Sequence, residues 1–135
     1  MKKIGLSFIA LAFALVIPFS SADASSGWDY VKSSKMTYNS TYGFYDTANA
    51  SSTGGDLKLI AVDKNKDYRF SVELWEYDPG SGNDDYVGYT YFERVQDHGI
   101  FRNIGRFVDG SNHRAEFYAK SYDSDTKSVY IQFWD

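Results

Sequence analysis

The stretch Tyr68-Arg69-Phe70-Ser71-Val72-Glu73-Leu74 shows the clearest alternation of apolar and polar residues in this chain. Its even-numbered positions carry tyrosine, phenylalanine, valine and leucine, whereas its odd-numbered positions are polar. Successive side chains of a β-strand point to opposite faces of a sheet, so a period of two indicates a strand with one buried face. The stretch therefore predicts a β-strand that covers a core with one face and turns the other face outward.

The same alternation recurs on both sides of this stretch, and helical periodicity is nearly absent. Asp, Asn, Gly and Pro, which turns favour, separate the alternating segments, and the small polar segment 47–55 is predicted to be a loop. Seven to eight short strands joined by such turns predict an all-β domain, either an antiparallel β-sandwich or a small barrel. The further strands are predicted at residues 28–32, 42–45, 57–62, 86–94, 100–108, 114–120 and 128–134, and the strand at 100–108 is expected to be interrupted at Gly105.

The first 24 residues have the three parts of a secretory signal peptide. Lys2 and Lys3 form a basic start, residues 4–19 are apolar, and Ser21-Ala22-Asp23-Ala24 supplies an A-x-A cleavage motif. The apolar run is short for a membrane span, which needs roughly 20 residues. We therefore predict cleavage of residues 1–24 and a secreted, extracellular protein with one β-sandwich domain at residues 25–135 and no membrane span.

Charge and cysteine content narrow the classes of function. The chain has 14 basic and 18 acidic residues, a formal net charge of −4 and no cysteine. Nucleic acids and anionic membrane surfaces are bound by clustered Lys and Arg, and the sequence contains no such cluster. Export without cysteine is typical of bacteria, since small extracellular domains of eukaryotes tend to be rich in disulfides. The sequence predicts an acidic monomer whose partner is an extracellular glycan or protein.

One loop concentrates acidic and polar side chains between two predicted strands, at residues 76–85. Calcium binds six to eight oxygen ligands in irregular geometry, so a flexible acidic loop suits this ion. The alternative is a solvated turn, because turns favour the same residue types. The predicted metal ligands are Glu76, Asp78, Ser81, Asp84 and Asp85.

The wider stretch from Val72 to Gly88 resembles one calcium-binding loop of C2 domains. In that loop a strand ends in two acids with one residue between them, and a third acid precedes a hydrophobic pair and a glycine. By this resemblance, Asp78 matches the second acid, Asp85 matches the third, and Ser81 is an accessory ligand. Glu76 stands where the family has aspartate. The resemblance implies that a calcium ion is bound by this loop.

Aromatic residues make up 19% of the chain, and several fall on strand faces opposite the predicted core. Exposed rings can stack on sugars or fill the pockets of a partner protein. The alternative is that these rings only form cross-strand pairs, as tyrosines do on pleated surfaces. The predicted binding residues are Trp75, Tyr77, Tyr89, Tyr91, Tyr118, Tyr130 and Trp134.

Two histidines, His98 and His113, carry the enzymatic alternative, a small secreted hydrolase that uses one of them as a base. No catalytic motif surrounds either histidine, and no catalytic residue is assigned. The sequence favours a secreted, non-catalytic binding module for an extracellular or cell-envelope partner, with calcium stabilising residues 78–85. A second alternative is an inhibitor or antibacterial toxin that acts on a protein target.

Overall fold

A computed structural model describes residues 27–63, 69–94 and 96–135, which form two antiparallel β-sheets. The predicted signal peptide lies outside these residues. In the described part, no helix is long and apolar enough to cross a membrane. Two short 3₁₀ helices, Ile104–Phe107 and Ser124–Ser128, follow the eighth and ninth strands. The strands are β1 (Tyr30–Lys35), β2 (Thr37–Asn39), β3 (Phe44–Asp46), β4 (Ala50–Ser52), β5 (Leu57–Val62), β6 (Phe70–Glu76), β7 (Asp85–Phe92), β8 (His98–Phe101), β9 (Ala115–Ser121) and β10 (Tyr130–Trp134).

The two sheets face each other as a β-sandwich, so the predicted all-β fold is confirmed. The smaller sheet has four strands in the order β1-β10-β5-β8. The larger sheet has six, in the order β2-β3-β9-β6-β7, with β4 also paired to β9. The chain crosses between the sheets at most of its connections, and Met36 is buried at the first crossing, between β1 and β2. Residues distant in sequence therefore become neighbours on each sheet.

The core consists of the side chains on the two inner faces. On β6, Phe70, Val72 and Leu74 are buried, while Ser71 is exposed. Burying each such apolar side chain stabilises the fold by about 1.5–3 kcal/mol. The inner face of the smaller sheet contributes Leu57, Leu59, Ala61, Phe101, Ile131 and Phe133. The alternation seen in the sequence thus corresponds directly to the inner and outer faces of the strands.

β6 continues two residues past the predicted strand end and places the side chains of two predicted site residues on opposite faces. Its pairing with β7 shifts register between Leu74 and Trp75, yet the alternation of burial continues along β6. Glu76 therefore takes an inner-face position at the rim of the core, and Trp75 faces outward. The end of this one strand contributes to both of the candidate sites described below.

Two local predictions were wrong. Residues 47–55 include the short strand β4, because Ala50 pairs with Phe117 of β9. The strand predicted at 100–108, with its interruption at Gly105, already ends at Phe101 as β8, because Asn103 adopts a left-handed conformation with φ 56°. Gly105 lies in the 3₁₀ helix that follows. The sequence also predicts no strand at β2. With β2 and β4 added to the eight predicted strands, the described residues contain ten strands.

Candidate functional site

An open cleft with a volume of about 660 Å³ lies on the outer face of the larger sheet. The β6–β7 loop borders it on one side and the β2–β3 loop on the other, and side chains of β6 and β9 form its floor. We call it the aromatic cleft, because five rings line it. These rings are Tyr42, Phe44, Trp75, Tyr77 and Tyr118.

Trp75 and Lys120 lie at the centre of the cleft floor. The Nζ atom of Lys120 lies 3.8 Å from the centroid of the Trp75 ring and 5.1 Å from that of Phe44. Only 7% of Lys120 is exposed, and its charge is balanced by a Glu73 carboxylate oxygen 3.4 Å away. The same carboxylate oxygen accepts a hydrogen bond from the Trp75 indole Nε1 at 2.8 Å. Cation–π attraction and these polar contacts hold the tryptophan ring in one orientation.

Asp84 ties the β6–β7 loop to the cleft floor. Its Oδ2 accepts a hydrogen bond from the Tyr118 hydroxyl at 2.8 Å, and its Oδ1 accepts one from the backbone N–H of Asp78 at 3.1 Å. Burial and the bond to Asp84 raise the pKa of Tyr118, so its hydroxyl remains a donor. Within the loop, Asn83 Nδ2 donates to the carbonyl of Pro79 at 2.9 Å. The loop that walls the cleft is therefore held by its own hydrogen bonds.

Polar groups stand beside the rings of the aromatic cleft. The carboxylates of Asp46 and Asp84 can accept hydrogen bonds, and the amides of Asn39 and Asn49 can donate and accept them. Asn39 Nδ2 already donates to Asp46 Oδ2 at 3.2 Å. Flat apolar surfaces next to oriented polar groups are complementary to a ligand with both apolar faces and hydroxyl groups.

The structure brings three of the seven predicted binding residues into the aromatic cleft: Trp75, Tyr77 and Tyr118. The other four are exposed or half-buried rings elsewhere on the sandwich. Tyr89 and Tyr91 of β7 face outward on the larger sheet beside the cleft, where they pair with residues of β6. Tyr130 and Trp134 belong to β10 of the smaller sheet.

Several residues of the aromatic cleft were missed by the sequence analysis, among them three on or next to β3 and one on β9. Tyr42, Phe44 and Asp46 reach the cleft because β3 pairs with β9, a contact that no local pattern reports. For Lys120 a signal was available, since alternation along β9 gives it the same outward direction as Tyr118. A lysine on an outward face nevertheless predicts a solvated side chain rather than a nearly buried one.

At the same end of β6, on the core side, three carboxylates form a second feature, the acidic cluster. One carboxylate oxygen from each of Glu76, Asp78 and Asp85 lies within 4.8 Å of the other two. Glu76 and Asp85 are directly opposite each other in the pairing of β6 with β7. The structure thus brings together three of the five predicted metal ligands, whereas Ser81 and Asp84 line the aromatic cleft.

Glu76 is the most buried member of the acidic cluster, at 2% exposure, and its Oε1 atom has no hydrogen-bond partner among the described residues. Burial, and then the charges of the neighbouring acids, raise the pKa of Glu76 to about 7. Loss of hydration and nearby acids also raise the pKa of Asp78. The acids that face Glu76 are Asp78, Asp109, Asp85 and Glu116.

In metal-free buffer with excess chelator, we expect the free energy of unfolding to fall as the pH rises from about 5 to about 8. The pKa of Glu76 is about 7 in the folded state, whereas the ordinary value for glutamate is 4.5. The folded protein therefore binds the carboxyl proton of Glu76 more tightly than the unfolded chain does. The stability gained from the proton is complete below pH 4.5 and is lost as the pH rises through about 7. Urea unfolding of wild type and Glu76→Gln across this range measures the effect. If the free energy of unfolding of the wild type changes with pH in parallel with that of Glu76→Gln, the prediction is contradicted.

The two histidines lie outside both features. His98 is the first residue of β8, and His113 precedes β9 with φ 52°. Both are exposed, and in the described part of the chain neither imidazole makes a hydrogen bond to a carboxylate. The hydrolase alternative therefore gains no support from the geometry.

A family model described as the YndA coiled coil domain matches residues 30–133, which include nearly all of the two sheets. The chain belongs to the YndA family. The YndA protein of Bacillus subtilis (strain 168), described as uncharacterized, is 36% identical over 131 residues, or 95% of this chain and 94% of that protein. No solved structure matches the chain. Although the family description refers to a coiled coil, the described residues of this YndA member contain no α-helix and form two β-sheets.

Proposed function

We propose that this YndA family member is a secreted, non-catalytic binding module that holds a glycan of the cell envelope in the aromatic cleft. The observation that carries the proposal is the convergence of five aromatic rings with amide and carboxylate side chains on one open cleft. Sugar rings present apolar C–H faces, which pack on aromatic rings, and hydroxyl groups, which require donors and acceptors. The cleft offers both kinds of contact side by side.

The rigidity of the cleft favours a binding role. Trp75 is held by Lys120 on its face and by Glu73 at its indole nitrogen. Asp84 connects the loop wall to Tyr118 on the floor. Side chains that are already fixed lose little conformational freedom when a ligand binds, so more of the contact energy appears as affinity.

The charges around the cleft favour a neutral or N-acetylated glycan over an anionic polymer. Asp46 and Asp84 present carboxylates to the cleft, and the positive charge of Lys120 is already balanced by Glu73. An anionic polymer would meet repulsion there, whereas a neutral sugar can donate hydroxyl hydrogens to both carboxylates. Secretion, which would bring the cleft to such a glycan, is supported by the signal peptide pattern of residues 1–24.

The proposal is tested by measuring binding of the purified protein to peptidoglycan and to soluble β-linked N-acetylglucosamine and glucose oligomers. We expect Trp75→Ala to weaken binding about tenfold or more, since a central aromatic contact contributes about 1.4 kcal/mol or more. Tyr42→Ala should weaken binding several-fold, because this ring lines the cleft wall. Tyr42 is 70% exposed and contributes little to the core, so the fold should be retained.

Tyr89→Ala is the matched control for Tyr42→Ala. Tyr89 is 71% exposed on the same outer face of the larger sheet, but it does not line the cleft. Its replacement is expected to leave the affinity unchanged. The proposal fails if the wild-type protein binds none of these glycans, or if Tyr89→Ala weakens binding as much as Tyr42→Ala does.

A further inference from the structure

We propose that the acidic cluster of Glu76, Asp78 and Asp85 binds one calcium ion, and that this ion stabilises the end of the sandwich where β6 and β7 meet. Calcium–oxygen distances of about 2.3–2.6 Å allow two ligands of one ion to lie up to about 5 Å apart. One oxygen from each of the three carboxylates lies within 4.8 Å of the other two. The three oxygens are therefore close enough together to share a single ion.

The burial of Glu76 is a second, independent indication of a ligand. Its side chain is 2% exposed, and its Oε1 atom has no hydrogen-bond partner among the described residues. A buried carboxylate without a partner is unfavourable, because it has lost its hydration and gained nothing in return. The groups that face it are other acids, which repel its charge rather than balance it. A cation shared with Asp78 and Asp85 would supply the missing partner.

No basic side chain of the described residues neutralises this charge. Within residues 27–63, 69–94 and 96–135, the ion pairs are Arg102 with Asp56 and Lys120 with Glu73, and neither pair includes the acidic cluster. Two further acids, Asp109 and Glu116, lie close enough to raise the pKa of Glu76. The negative potential at this end of the sandwich thus favours a cation over any neutral ligand.

The donor atoms and the access to them favour a hard cation such as calcium. All three ligands are carboxylate oxygens, which suit hard cations, whereas the sequence has no cysteine to bind a softer metal. A groove with a volume of about 460 Å³ is lined by Asp78, Asp109 and Glu116. This groove gives a hydrated ion access to Asp78, one member of the acidic cluster. The supply of calcium rests on the proposed secretion, but the site itself does not depend on glycan binding.

The ion would connect two neighbouring strands and the loop between them. Glu76 ends β6, Asp85 begins β7, and Asp78 lies near the start of the connecting loop. A ligand that binds the folded state and not the unfolded state raises the unfolding midpoint by mass action. For a domain of about 110 residues, free calcium at about ten times its Kd is expected to raise the thermal midpoint by about 5 °C or more.

The test is thermal unfolding of the purified protein in excess calcium and in excess chelator, with calcium titration calorimetry as the direct measurement. Glu76→Gln keeps the size of the side chain but removes its charge, so we expect a folded protein with no calcium shift. Asp78→Asn alters a more exposed position and should reduce the shift as well. The matched control is Asp125→Asn, which removes one exposed carboxylate from the 3₁₀ helix between β9 and β10 and should keep the full shift.

Equal midpoints of the wild-type protein in calcium and in chelator would overturn the proposal. A Glu76→Gln protein that keeps the wild-type shift, or binds calcium with unchanged affinity by calorimetry, would overturn it too. The Trp75→Ala variant separates this proposal from the glycan proposal, because it should weaken glycan binding and keep the calcium shift. Calcium binding can therefore fail or succeed independently of the aromatic cleft.

Discussion

Replacing Phe133 with Ala is expected to lower the free energy of unfolding by about 3–5 kcal/mol. Phe133 is fully buried on β10, which lies between β1 and β5 in the smaller sheet. Its ring fills the space between two sheets whose backbones are fixed by hydrogen bonds, so the structure cannot close the cavity completely. Single domains are stable by only about 5–15 kcal/mol, and this loss is a large share of that stability. Urea unfolding followed by circular dichroism measures it.

Tyr130→Ala on the same strand is the control for Phe133→Ala. Tyr130 lies on the outer face of β10 and is 45% exposed, so its removal leaves no internal cavity. We expect it to cost less than about 1 kcal/mol. Losses of similar size for the two variants would contradict the assignment of inner and outer faces on which the whole fold rests.

Replacing Gly99 with Ala is expected to destabilise the protein by about 3 kcal/mol or more, although it adds a single methyl group. Gly99 is buried in β8 of the smaller sheet, and Thr90 belongs to β7 of the larger one. A Cβ atom at Gly99 would lie 2.6 Å from the Cβ of Thr90, and closer to its hydroxyl oxygen. The two sheets would have to separate locally to accommodate it. Urea unfolding of the variant, compared with wild type, measures the cost.

The cause of this cost can be isolated with two further variants. In a Thr90→Gly background the clash is absent, so the same Gly99→Ala change should cost less than about 1 kcal/mol, which a double-mutant cycle measures. Gly105→Ala is the matched control, because the nearest atom to a Cβ there is 3.8 Å away. Its effect should stay within about 0.5 kcal/mol. An equal cost of Gly99→Ala with and without Thr90 would contradict the close approach of the two sheets.

The regular strands could be predicted from the sequence because each carries its own pattern. Phe70, Val72 and Leu74 alternate with polar residues over enough length to identify β6, and Ile131 and Phe133 do the same for β10. Where a strand is only three residues long, as in Ala50–Ser52, no period can be recognised. Its place is set by the pairing of Ala50 with Phe117, which is a tertiary contact.

The candidate sites were predictable in part, for the same physical reason. The acids of residues 76–85 are neighbours in sequence, so their proximity could be expected. Which acids join the acidic cluster and which line the aromatic cleft could not be predicted. Glu76 is buried because β6 extends beyond Leu74, and Asp84 accepts a hydrogen bond from the Tyr118 hydroxyl across the cleft. The aromatic cleft likewise depends on the pairing of β3 with β9. Local composition identified the chemistry, whereas the assembly of the sheets determined which side chains meet.

The measurement that tests the proposed function most directly is the response of the tryptophan indole N–H signals in a ¹H–¹⁵N NMR spectrum to added glycan oligomer. The chain has three tryptophans, each of which can be assigned with a Trp→Phe variant. Trp75 lies in the aromatic cleft, whereas Trp28 and Trp134 lie near Lys58 on the other sheet. Binding in the cleft predicts that the Trp75 signal shifts and the other two do not. Shifts confined to Trp28 and Trp134, or no shift at any indole, would contradict it.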